Sequence, residues 1–290
     1  MDILRRAITK DGLVRISAIN GTNLLQESLQ RTKSLPPSMI HLGQGLLGSL
    51  LLLSVTTKSE DAKISLQWNT PTGPFGSMYV EANAKGEVRG TILKPQASVT
   101  DLKTLLGEGH LQVTRQEVKG QVGVVSCEGD VCSDLLNYLH QSEQRRVAMN
   151  LWVDLDVDEA NEVHPFKVKK ALGYLIELLP DDNVIEQKSR EFYFEERLKE
   201  LGGLSAWDID HNDPTKSILQ ILSDEEKPKE TMYQSLRFHC NCTEERAARA
   251  LALAEAQSPT EDFMNKEEDV TCEFCGQTYH IHLGQTSEEA

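Results

Sequence analysis

The sequence predicts an α+β protein: a mixed, layered N-terminal domain, a helical linker and a small C-terminal domain built on four cysteines around zinc. Three observations carry this. Hairpin-like strand pairs and helical stretches intermingle over the first 180 residues, without the regular alternation of a βαβ series. The character of the chain changes after Leu179, where Pro180-Asp181-Asp182-Asn183 leads into a charged helical run. Four of the six cysteines fall in the last 51 residues, as Cys240, Cys242, Cys272 and Cys275. The expected divisions are 1–180, 181–232 and 233–290.

In the first division, Leu13 to Ile19 alternates apolar and polar residues, as a half-buried strand does. Asn20-Gly21-Thr22 turns, and Thr22 or Asn23 is placed to cap a helix through Leu29. Pro36-Pro37-Ser38 precedes an apolar run, Met39 to Val55, which reads as a buried helix. Ile64 to Trp68 is a strand, and Met78 to Ala82 with Val88 to Leu93 forms a hairpin turning at Gly86. Leu111 to Thr114 and Gln121 to Ser126 are further strands, and Ser133 to Ser142 is a helix.

The linker holds a helix from Val184 to Leu201, a Gly202-Gly203 break and a second helix from Pro214 to Leu222. Its apolar residues need a surface to cover, yet its charge and breaks preclude a core of its own. It is expected to be helical when docked and marginal when released. In the last division a helix from Glu244 to Gln257 ends at Ser258-Pro259, and two short strands flank the Cys272-Glu273-Phe274-Cys275 turn.

Charge narrows the function classes. Residues 1–180 hold 19 Lys and Arg against 20 Asp and Glu, whereas residues 181–290 hold 11 against 25, so nearly all of the net −15 lies in the last 110 residues. An acidic surface repels phosphates, which argues against a nucleic-acid partner. The longest apolar stretch, Leu46 to Val55, is short of the roughly 18 residues that a span requires, and Met1 to Gly12 lacks an apolar signal region. A soluble cytoplasmic protein without a membrane partner is expected.

The cysteines carry the chemistry. Cys240-x-Cys242, 29 intervening residues and Cys272-x-x-Cys275 supply four thiolates, which suit tetrahedral Zn²⁺. A segment with so few large apolar groups needs such a staple to fold. Four thiolates close the coordination sphere, so the metal is expected to be structural, with no catalytic residue and no enzyme activity. His239, His280 and His282 read as structural or solvent-facing. Oxidation to the local disulfides Cys240–Cys242 and Cys272–Cys275 would eject the metal, making a redox switch chemically available.

This spacing, set in Arg237-Phe238-His239-Cys240-Asn241-Cys242, resembles the redox-regulated 33 kDa heat shock chaperones, the heat shock protein 33 family. The likeness extends upstream through Asp11-Gly12-Leu13-Val14-Arg15, Glu81 to Gly90 and Gly173 to Pro180, over nearly the whole chain. It implies an ATP-independent holdase that is zinc-bound and inactive when reduced and active when oxidised. Implied partners are unfolded or misfolded clients and a second copy when oxidised. A zinc ribbon serving nucleic acid or a transcription complex is the alternative; a thiol oxidoreductase lacks the surrounding fold pattern.

Two departures stand out. The stretch at Glu117-Val118-Lys119-Gly120 is shorter than is usual in the family, and Cys127 and Cys132 lie outside the switch motif. They read as small buried side chains, although Cys132 lies near a helix start that could stabilise a thiolate. Gly43-Gln44-Gly45-Leu46-Leu47-Gly48 matches a dinucleotide-binding pattern, but no strand precedes it, so its glycines are expected to serve close packing within a helix.

Overall fold

The apolar run becomes helix α2, Pro36–Thr56, and its surroundings explain why it is hydrophobic on every side. In the computed structural model α2 lies between two largely antiparallel sheets, touching strands of both. The structure describes every residue except 57–58, 98–105, 117–119, 162–164, 225–227, 258–266 and 283–290. Glu117, Val118 and Lys119 of the shortened stretch, together with Ser258-Pro259, lie outside the described residues.

The first sheet contains β1 (Ile3–Ile8), β2 (Val14–Asn20), β8 (Arg146–Val157), β9 (Phe166–Leu178) and β10 (Lys229–Ser235), in the order β10-β1-β2-β9-β8. The second contains β3 (Lys63–Asn69), β4 (Ser77–Asn83), β5 (Glu87–Ile92), β6 (His110–Gln116), β7 (Gln121–Ser126) and β11 (Arg237–Phe238), in the order β11-β5-β4-β3-β6-β7. Only the β11–β5 pairing in these two sheets is parallel. The α+β class is therefore observed.

Close packing of α2 depends on the glycines of the dinucleotide-like pattern. A Cβ at Gly43 would sit 2.4 Å from Leu25 Cδ2, and one at Gly48 would sit 2.3 Å from Leu135 Cδ1. These residues admit neighbouring side chains rather than a phosphate. Taken whole, α2 is long and apolar enough to cross a membrane, with a mean hydropathy of 1.5 over its best window, but 83% of that window is buried inside the protein. The Leu46 to Val55 stretch thus belongs to a longer helix whose composition reflects burial between sheets.

Several elements depart from the expectations. Helix α1, Thr22–Thr32, has Gly21 at its N-cap position, and neither Thr22 nor Asn23 caps it. The Asp2 carboxylate instead accepts from the backbone N–H groups of Asn23 and Leu24, so a residue 21 positions earlier satisfies the helix start. Helix α3, Val131–Gln141, begins at the Asp130 cap, two residues before the expected start. Strands β1 and β9 carry no alternation that a sequence pattern could report, whereas β8 buries every second residue from Met149 to Val153. Residues 171–177 of β9 are all buried because this sheet is covered on both faces.

The second cover is the segment expected as a linker. Helix α4 (Val184–Leu201), a 3₁₀ turn (Leu204–Ala206) and helix α5 (Pro214–Ser223) lie on the first sheet. Phe194, Leu204, Ile209, Ile218, Leu219 and Leu222 pack there against Ile16, Ala18, Leu172, Tyr174 and Ile176. Trp207 stacks on Tyr174 with centroids 5.3 Å apart and donates from Nε1 to the Leu201 carbonyl at 2.9 Å. The expected 232/233 division falls inside β10, which pairs with β1 from Lys229 to Ser235. By internal contacts the chain separates into two compact units, Met1–Phe238 and His239–Ala290.

Candidate metal centre

The second unit is assembled from helix α6 (Glu244–Gln257) and a hairpin of β12 (Glu267–Thr271) and β13 (Thr278–His282), with α6 against both strands. Among its described residues only Cys275 and Ile281 are buried. Apolar burial cannot account for such a fold, and its thiols are where the structure converges.

Cys272 and Cys275 occupy the turn joining β12 to β13. The Cys272 N–H donates to Gln277 O and the Gly276 N–H to Cys272 O, both at 2.8 Å. Gly276 adopts φ 72°, a left-handed conformation in which a side chain would be strained. Cys240 and Cys242 approach from the segment before α6. The four Sγ atoms lie within 4.8 Å of one another, with Cys240–Cys272 at 3.7 Å and Cys242–Cys275 at 3.4 Å. A tetrahedral zinc–thiolate site with bonds of about 2.3 Å has edges of about 3.8 Å, and a disulfide is near 2.0 Å. The spacing fits a shared metal ion, and none of the four is in a disulfide.

Tyr279 is a neighbour that motif reading missed. Its hydroxyl lies 3.2 Å from both Cys242 Sγ and the Cys242 carbonyl. Burial opposes ionisation of Cys242, but hydrogen bonds from Tyr279 and the surrounding thiols outweigh it and bring the thiol down to about 7. Burial moves Cys272 and Cys275 in the opposite direction. Only the position of Tyr279 four residues past Cys275, on a strand leaving the knuckle, could have suggested it. Two of the histidines face carboxylates: His280 pairs with Asp269 across the hairpin, and His282 with Glu267 at 3.2 Å.

Cys127 and Cys132 belong to the first unit. Burial, reinforced by the Asp130 charge, pushes Cys132 up to about 12, and its Sγ donates to Met149 O at 3.4 Å. Burial and Asp134 raise Cys127 as well. The helix start therefore leaves Cys132 a protonated, half-buried thiol.

Fold and site together define an α+β protein carrying a four-cysteine cluster that can bind a metal ion. A family model described as Hsp33 protein matches residues 2–282. A protein of Aquifex aeolicus named 33 kDa chaperonin is 30% identical over 306 residues, covering 99% of this chain and 89% of its own. One of Bacillus subtilis with the same name is 28% identical, over 96% of this chain and 94% of its own. The crystal structure of the 33 kDa chaperonin of Thermotoga maritima superposes with a TM-score of 0.79 at 21% identity, covering 97% of this chain and 94% of that one, which shows the shared fold. The chain belongs to the Hsp33 family.

Proposed function

We propose that this chaperone is a redox-regulated, ATP-independent holdase whose resting form carries one Zn²⁺ on Cys240, Cys242, Cys272 and Cys275. The observation that carries this reading is the pairing of four thiols outside any disulfide, at tetrahedral-edge spacing, with a unit that buries almost nothing else among its described residues. The metal supplies folding free energy and no open coordination position, on the order of 10 kcal/mol for structural zinc sites. A reducing compartment such as the cytoplasm keeps the thiols available to it.

Oxidation removes that contribution. A thiolate attacks peroxide and becomes a sulfenic acid, and a neighbouring thiolate then displaces hydroxide to form a disulfide. Short loops favour the local pairs Cys240–Cys242 and Cys272–Cys275. Sulfur separations within 4.8 Å also permit cross pairs, so mapping must discriminate between them. A disulfide sulfur is a poor zinc ligand, and the metal leaves.

Chain connectivity gives that event a route to client binding. Cys240 follows Phe238 by two residues, and β11 and β10 join it to α5 and α4. Loss of order in the second unit loosens this run, uncovering the outer face of the first sheet for unfolded clients and, in the oxidised state, for a second copy. The charge of residues 181–290 keeps such complexes soluble and disfavours nucleic acid.

Peroxide added to the reduced, zinc-loaded protein should release one equivalent of zinc and suppress aggregation of a heat-unfolding client without nucleotide. Peptide mapping should find the two local disulfides. Full suppression by zinc-loaded, reduced protein would refute the switch, and dominant cross pairs would refute the connectivity.

A further inference from the structure

The first unit contains a cleft of about 890 Å³ where the C-terminal end of α2 meets β1, β2, β9, α4 and β10. Its walls bear four guanidinium groups, Arg6, Arg15, Arg145 and Arg146, against two carboxylates, Glu60 and Glu177. This excess of two positive charges in the lining, offset in part by Glu143 beside Arg145 and Glu191 beside Arg146, lies within a chain of net charge −15. Arg15 and Arg145 share one carboxylate, that of Glu177, which is only 4% exposed and lies 2.7 Å from Arg15. Arg146 reaches outward to Glu191 at 2.7 Å.

Internal needs do not account for all of this charge. Arg6 donates to the Ser54 carbonyl at the end of α2 and to Thr231 Oγ1, neither of which is charged. The guanidinium of Arg6 is depressed by burial and then by the charge of Arg15, against a smaller opposing effect of Glu177. The buried Nε of Arg145 makes no hydrogen bond, although Glu143 lies 4.0 Å away as an ion-pair partner. Arginine forks match phosphoryl oxygens bidentately, and a cleft of this volume is within the range of small-molecule sites.

We infer that this arginine-lined cleft is a binding site for a small polyanion bearing a chain of phosphoryl groups, inorganic or as a nucleoside polyphosphate. Its walls include Gln187 of α4 and Met232 and Gln234 of β10, so a bound anion bridges the core and the segment 181–235. A ligand that binds only the docked arrangement stabilises it by linkage. This deepens the functional reading by naming a ligand that holds the segment down, but reduced protein tests it without any redox step.

The test is calorimetric titration of the reduced, zinc-loaded full chain at constant ionic strength with tripolyphosphate, ATP, orthophosphate and sulfate. Tripolyphosphate should bind with one-to-one stoichiometry, at least tenfold more tightly than orthophosphate or sulfate. Equal binding of ATP means that the phosphate chain alone is read, and tighter binding that the nucleoside adds contacts. An Arg6→Gln, Arg146→Gln double variant should weaken binding at least tenfold. Arg146→Glu, at a half-exposed position, should weaken it severalfold in a folded protein. Hydrogen exchange in Val184–Leu201 and Lys229–Ser235 should slow when tripolyphosphate binds. Sulfate binding as tightly as tripolyphosphate, undiminished binding to folded Arg146→Glu, or unchanged exchange in both segments would each overturn the site.

Discussion

The two units are stabilised by different physics. In Met1–Phe238, α2 and two sheets bury Leu46, Leu47, Leu51, Leu66, Trp68 and many others almost completely. In His239–Ala290, only Cys275 and Ile281 are buried among the described residues. A unit held by distributed apolar burial loses a little stability with each change, whereas a unit held by four thiols loses its fold when one of them fails.

The largest effect should come from the four-cysteine cluster. Cys272→Ser, or a strong chelator, should unfold the second unit, removing on the order of 10 kcal/mol. Amide exchange in Glu267–Thr271 and Thr278–His282 should become fast while Lys63–Asn69 stays protected. Retained protection in β12 and β13 would erase the contrast between the units.

Leu51→Ala should cost the first unit about 4 kcal/mol, because Leu51 is fully enclosed between the sheets. Urea unfolding should show the lower midpoint, with zinc stoichiometry unchanged. Phe194→Ala sharpens the comparison at the segment expected as a linker. Phe194 is 7% exposed in the cluster on the outer face of the first sheet. Its loss should cost about 3 kcal/mol locally, speed exchange in α4 and raise client binding by reduced protein.

A smaller effect arises at Asp134, fully buried in α3, where its carboxylate accepts from Trp68 Nε1 at 3.0 Å and from the Glu128 N–H at 2.7 Å. Burial outweighs these hydrogen bonds and raises Asp134 to about 6, above its unfolded value. The folded state therefore binds the extra proton, and the stability this group contributes is lost as pH rises through about 6. Between pH 7 and 5 the first unit should gain about 1 kcal/mol from it. His41, depressed by burial, works in the opposite direction as pH falls below its unfolded value. Comparing urea midpoints of the native protein and Asp134→Asn over this range isolates the aspartate; identical pH slopes would show that it titrates normally.

Local chemistry determined much of this molecule from sequence alone. Val184–Leu201 and Glu244–Gln257 form helices with the expected bounds, because breakers and caps such as Asn183, whose side chain accepts from Ile185 N, act within a turn of the residues they serve. The thiol cluster was legible because metal-ligand spacing is also short-range within each pair. Tertiary structure decided what depends on distant partners. Asp2 caps α1, β9 hides its strand pattern by being buried on both faces, and Lys229–Ser235 becomes a strand because β1 offers it an edge. The arginines of the cleft, drawn from positions as far apart as 6 and 146, acquire a common field only when the fold brings them together.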